Sequence, residues 1–104
     1  MKLYITTRTD LPNGPQAVQS CHALAQFQVE HPELFRFWYE RSNFLALLAV
    51  PDEVSLSLLL ERARRRGIPA VGFREPDLGG ALTAVAPTPT AKGLVRKLPL
   101  ALAG

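Results

Sequence analysis

Seven consecutive apolar residues, Phe44-Leu45-Ala46-Leu47-Leu48-Ala49-Val50, stand between Asn43 and Pro51. A run this short falls below the usual length of a helix and reads as a strand buried on both faces. Such a strand needs helices above and below its sheet, and the flanking sequence supplies them. Upstream, the β-branched and aromatic Leu3-Tyr4-Ile5-Thr6-Thr7 predicts a first strand, ended by the turn residues Leu11-Pro12-Asn13-Gly14-Pro15. Asn13 or Gly14 can cap a helix there, and Pro15 suits its first position because the missing N–H would have no intrahelical partner. That helix is expected from Pro15 to Glu30. Val18, Cys21, Ala25 and Val29, flanked by Ala17 and Leu24, form a stripe at helical spacing that is expected to face the core, with Cys21 as a small core residue. Gln16, Gln19, Ala23 and Gln26 recur along a second face.

Pro32 to Tyr39 predicts one or two helical turns, rich in Phe35, Phe37, Trp38 and Tyr39, which close one end of the core, make a dimer contact or stack on nucleic-acid bases. After the apolar run, Asp52 caps a helix to about Arg66 with Leu56, Leu59, Leu60 and Ala63 inward, and Gly67 stops it. Ala70 to Arg74 and Ala81 to Ala86 predict two further strands, and Thr90 to Leu98 a last short helix. The order predicts an α/β fold. One three-layer domain over residues 1–104 would hold a four-stranded mixed sheet with helices on both faces.

The composition excludes several classes of protein. No apolar run approaches the roughly 20 residues of a membrane span, and the N-terminus lacks a signal-peptide pattern, so a cytoplasmic location is expected. One cysteine supports neither an internal disulfide nor a metal site of familiar spacing. A net charge of +3 is a mild bias toward polyanions.

The segment Arg8-Thr9-Asp10-Leu11, then Gly14, then Gln19-Ser20-Cys21-His22-Ala23, resembles the signature of the archaeal and eukaryotic type of peptidyl-tRNA hydrolase. Members of that family run RTDL, a few turn residues, GK, small apolar residues, Gln, and His-Ala. Here the lysine position falls on Pro15. Leu82-Thr83-Ala84-Val85-Ala86-Pro87 is similar to the family's last strand, and Leu47 to Arg74 to its central strand, helix and next strand. The resemblance implies a metal-independent, cofactor-free hydrolase that cleaves the ester joining peptide to tRNA.

Ester hydrolysis by water requires a group to orient or deprotonate the water and a group to steady charge on the carbonyl oxygen. The resemblance places Thr83 at the family's threonine. Its aspartate falls on Glu75 by position or on Asp77 by residue type, and Asp77 is taken as catalytic with Thr83 and His22. Gln19 and His22, within one turn of each other, are expected to line the site. Arg8, Asp10 and Arg74 are expected to bind substrate, the two arginines supplying the positive charge that Pro15 removes. Arg62, Arg65 and Arg66, with Arg64, could grip a tRNA backbone. Lys92, Arg96 and Lys97 form a second, looser basic patch. Each has a plain structural reading: a β-branched strand filler for Thr83, a turn former for Asp77, a half-buried helix histidine for His22, ion pairs for Arg8 and Arg74, and a solvated helix end stabilised by the dipole for the Arg62 to Arg66 cluster. A binding or regulatory module without turnover and a hydrolase of some other small amide or ester are the competing functions.

Overall fold

The computed structural model describes residues 2–87 and 92–103. Strand β1 (Lys2–Arg8) leads through helices α1 (Asn13–Glu30) and α2 (Pro32–Arg41) to β2 (Phe44–Val50). Helix α3 (Glu53–Arg65) then connects to β3 (Ala70–Glu75), and a 3-10 turn at Pro76–Leu78 leads to β4 (Ala81–Pro87). The sheet order is β2-β1-β4-β3, with β1 and β2 parallel and β4 antiparallel to both its neighbours. The α/β class, the four-stranded mixed sheet and the helices on both faces are as the sequence predicts. The predicted last helix starts at Thr90, outside the described residues; within them α4 spans Lys92–Val95. No helix among the described residues is long and apolar enough to cross a membrane.

Side chains alternate across each strand, so one strand feeds two cores. Leu3, Ile5, Val71, Ala84 and Ala86 pack under α1 and α2 against Ala23, Phe27 and Trp38. Tyr4, Leu48, Val50, Leu82 and Val85 pack against Leu56, Leu59 and Leu60 of α3 and Val95 of α4. Phe27 is fully buried, worth roughly 1.5–3 kcal/mol for a side chain of this class. The Asp52 carboxylate caps α3 by accepting from Ser55 N–H at 2.9 Å, as expected. Gly67 follows the helix with φ of +68°, a conformation that favours glycine.

Two expectations are overturned. The apolar run 44–50 is an edge strand rather than a central one, and Phe44 and Leu45 are 65% and 51% exposed. Its second half is buried because the chain returns along the outer edge: Ala49 N–H donates to Pro99 O and Ala101 N–H to Leu47 O, both at 2.9 Å. The strands enclosed on both sides are β1 and β4. Helix α1 is also rotated from its expected orientation. Gln16, Gln19, Ser20, Ala23 and Phe27 face inward, while Val18, Cys21, Ala25 and Val29 face solvent. Polar residues can occupy the inner face because most of their hydrogen bonds are made there, Gln16 Oε1 being the exception on this helix among the described residues. Gln16 Nε2 donates to Leu11 O at 2.6 Å and Ser20 Oγ to Gln16 O at 2.7 Å.

Candidate active site

The pairing of β3 with β4 slips by one residue. Phe73 lies opposite Ala84 and Arg74 opposite Leu82, which leaves Thr83 as the extra residue of a β-bulge. Bulging breaks the ladder locally, and side chains take over the freed backbone groups. Leu82 N–H donates to Glu53 Oε2 at 2.6 Å, Leu82 O accepts from Arg8 Nη1 at 3.0 Å, and Thr83 O accepts from Thr7 Oγ1 at 3.0 Å. Residues from β1 and α3 thus hold the bulge in place.

The bulge turns the Thr83 side chain toward α1. Its hydroxyl donates to Gln19 Oε1 at 2.7 Å, with a longer approach of 3.3 Å to Phe73 O. Gln19 passes the connection on, its Nε2 donating to Glu75 Oε1 at 2.9 Å. Glu75 Oε2 accepts from the backbone N–H of Asp77 at 3.4 Å. A continuous polar chain therefore runs from Thr83 through Gln19 to Glu75. Thr83 is fully buried at its inner end, Gln19 nearly so, and the Glu75 carboxylate is half-buried at the outer end. Such a chain fixes the Gln19 amide orientation, since one end must accept and the other donate.

His22, one turn beyond Gln19, is exposed and stacks on the Phe73 ring with centroids 4.6 Å apart and planes 12° from parallel. The pair forms a flat surface next to Glu75 on the strand. At the helix start, Pro12 precedes α1 without a side-chain cap, and no acidic residue lies in the first turn. The amides of Asn13 and Gly14 therefore point out of the helix with no intrahelical acceptor, while Pro15 has none to offer.

The structure brings Thr83, Gln19, His22 and Glu75 to one face of the sheet. It separates the two candidate carboxylates: Glu75 reaches Gln19, whereas the Asp77 side chain is exposed and enters the cluster only through its N–H. Glu75 has no ion-pair partner among the described residues. Neither arginine expected to replace the lysine stands beside it. Arg8 is engaged by Asp10 in a two-pronged pair, Nε to Oδ1 at 2.7 Å and Nη2 to Oδ2 at 2.8 Å, and its third arm holds the bulge. The Asp10 hydrogen bond, opposed by partial burial, raises the Arg8 pKa, and the same bond holds the Asp10 carboxyl below its ordinary range. Arg74 projects to the opposite face because strand neighbours alternate, and lines a hollow with Arg64 and Arg65 of α3. Arg62, Arg65 and Arg66 lie on that opposite face as well, lining a second recess. The Lys92 side chain lies outside the described residues.

Cys21 is exposed rather than a core residue, a consequence of the rotation of α1. Sequence reasoning missed Thr7 and Glu53, because their roles depend on the bulge and no local pattern marks one, and Phe73, because its stacking partner His22 lies on a separate element. Among the described residues no cluster of three or more metal-ligating side chains forms.

A family model described as peptidyl-tRNA hydrolase PTH2 matches residues 1–102, essentially the whole chain. No curated protein matches it.

Proposed function

We propose, from the premise that this chain belongs to the peptidyl-tRNA hydrolase PTH2 family, that it hydrolyses the ester bond of peptidyl-tRNA or of N-acylated aminoacyl-tRNA. The observation that carries this reading is the Thr83–Gln19–Glu75 chain, which fixes a carboxylate at the mouth of a face otherwise packed with apolar groups.

In this reading Glu75 takes the part that the sequence alone assigned to Asp77. Its carboxylate orients a water molecule and accepts a proton as the water oxygen attacks the ester carbonyl. The resulting oxyanion collapses and expels the 3′ oxygen of the terminal ribose, which takes up the proton held by Glu75 and so restores the carboxylate. Gln19 and Thr83 are positioning residues, because Thr83 is too deeply buried to meet water itself. The stacked His22–Phe73 surface borders the acyl end. The outward amides of Asn13 and Gly14 offer neutral donors to developing negative charge in the absence of a lysine at Pro15.

A second reading, binding without turnover, is favoured by one observation: no cation accompanies Glu75 among the described residues. The two are separated by incubating the protein with N-acylated aminoacyl-tRNA and following release of the N-acyl amino acid, beside Thr83→Val and Glu75→Gln variants. Release that falls in both variants supports the hydrolase. Affinity for tRNA without release at high protein concentration supports the binder.

A further inference from the structure

The face of the sheet opposite Gln19 carries a concentration of positive charge that the chemistry above does not use. Helix α3 ends with Arg62, Arg64 and Arg65, and Arg66 caps it. Arg74 reaches toward them from β3, so that Arg64, Arg65 and Arg74 line one hollow of about 360 Å³ together with Ser57, Leu60 and Glu61. A second recess, lined by Arg62, Arg65 and Arg66, adjoins it through Arg65.

Attraction to the helix dipole accounts for cations in the last turn of α3. It does not account for Arg74, which belongs to another element and adds like charge to the group. Little in the fold neutralises them. Among the described residues the one ion pair here joins Arg65 to Glu61 at 3.7 Å, and Arg74 makes a hydrogen bond of 3.4 Å to Gly80 O. Of these five guanidinium groups, only that of Arg65 is ion-paired among the described residues. Guanidinium forks suit phosphate oxygens in both geometry and charge.

The shape narrows the ligand class. Among the described residues no aromatic side chain lines either recess, so the described lining offers no surface on which a base would stack. Two recesses joined at Arg65 make a track that suits successive phosphates of a strand better than a single free anion. The track is also close to the candidate site. Arg74 and Glu75 are consecutive on β3, an edge strand of the sheet, and face opposite sides of it. One strand therefore separates the two faces.

We propose that the Arg64–Arg65–Arg74 hollow and the adjoining Arg62–Arg66 recess bind the phosphodiester backbone of an RNA that passes around β3, its acylated 3′ end lying at Gln19 and Glu75. The inference rests on the hydrolase reading for the position of the acyl end, but the backbone site itself is testable without turnover.

The test titrates labelled uncharged tRNA with the full chain at several KCl concentrations, comparing wild type with the Arg64→Gln/Arg65→Gln/Arg74→Gln variant and with Glu61→Gln. The slope of log affinity against log salt should become shallower by about 2 to 3 in the triple variant, as expected for three lost phosphate contacts. Glu61→Gln should tighten binding. In parallel, the KM for N-acylated aminoacyl-tRNA relative to that for an N-acylated aminoacyl adenosine ester should rise about tenfold or more in the triple variant at low salt. Unchanged affinity and salt slope in the triple variant would overturn the proposal. If neither substrate is turned over but tRNA binding weakens in the triple variant, the hydrolase reading falls and the backbone site stands.

Discussion

The hydroxyl of Thr83 and the side-chain oxygen of Gln19 meet at 2.7 Å between β4 and α1, and the contact exists because Thr83 is the additional residue of a bulge. In an unbroken ladder, position 83 would take its turn in the alternation and a neighbour would face the helix instead. The slip changes the face presented, and Thr7, Arg8 and Glu53 hold it by bonding the backbone of Leu82 and Thr83.

Replacing that hydroxyl should therefore affect both stability and turnover. Thr83→Val keeps the branched shape but leaves the buried Gln19 oxygen without its donor, which costs about 1–3 kcal/mol. Urea denaturation would measure the loss. Release of N-acyl amino acid should fall more through kcat than through KM, because Gln19 would no longer hold Glu75 in one orientation. Thr83→Ser restores the donor and should recover most of the rate.

Much of the architecture could be read from local signals. The Asp52 cap, the Gly67 stop and the turn around Pro12 each act within a few residues, so the element order followed from them. Which strand lies at the edge did not, because a buried β2 requires only that something cover its far side, and the chain segment at Pro99–Ala101 does so. The orientation of α1 was misread for a related reason. Periodicity rewards the apolar stripe, yet Gln16, Gln19 and Ser20 bond to Leu11, Glu75, Thr83 and the helix backbone and so tolerate burial. Those partners come from four places in the chain, and no window of sequence contains them together. The likeness to the family's motifs carried the site further than periodicity could, since it singled out Gln19 and Thr83 without their geometry.

The rotation of α1 gives a contrast between two positions on one helix. Val29 is 80% exposed and Ala23 fully buried beneath the sheet. Val29→Lys should change stability by no more than about 0.5 kcal/mol. Ala23→Leu forces extra volume into a packed layer beside Phe27 and should cost about 1–3 kcal/mol. Thermal or urea unfolding of the two variants would give the reverse order if the apolar stripe faced inward.

The Arg8–Asp10 pair makes a prediction about acid. Asp10 has its folded pKa depressed, chiefly by the hydrogen bond from Arg8. The folded state therefore binds fewer protons than the unfolded chain in the acid range. The pair's contribution is complete above the unfolded carboxylate value near 4 and fades as pH falls through the lower folded one. The Asp10 side chain is 41% exposed, so solvent screening keeps the contribution to about 0.5–1 kcal/mol. Wild type should exceed Asp10→Asn by that margin at pH 7, and the two denaturation curves should converge as the pH approaches about 2.

The two carboxylates near the end of β3 offer the sharpest comparison. Glu75→Gln keeps the size of the side chain and can still accept from Gln19, so the fold should survive with little change. It removes the only negative charge bonded to the polar chain among the described residues, and with it the group proposed to take a proton from water. Turnover of N-acylated aminoacyl-tRNA should fall by about 10²-fold or more. Asp77 contributes its backbone N–H alone, which Asp77→Asn retains. That variant should stay within about threefold of wild type, the small remainder reflecting altered charge near the site. Steady-state rates for both variants, measured at neutral pH, would decide the assignment. A large loss in Asp77→Asn with a near-normal Glu75→Gln would transfer the base to Asp77 and require the 3-10 turn at Pro76–Leu78 to rearrange when substrate binds.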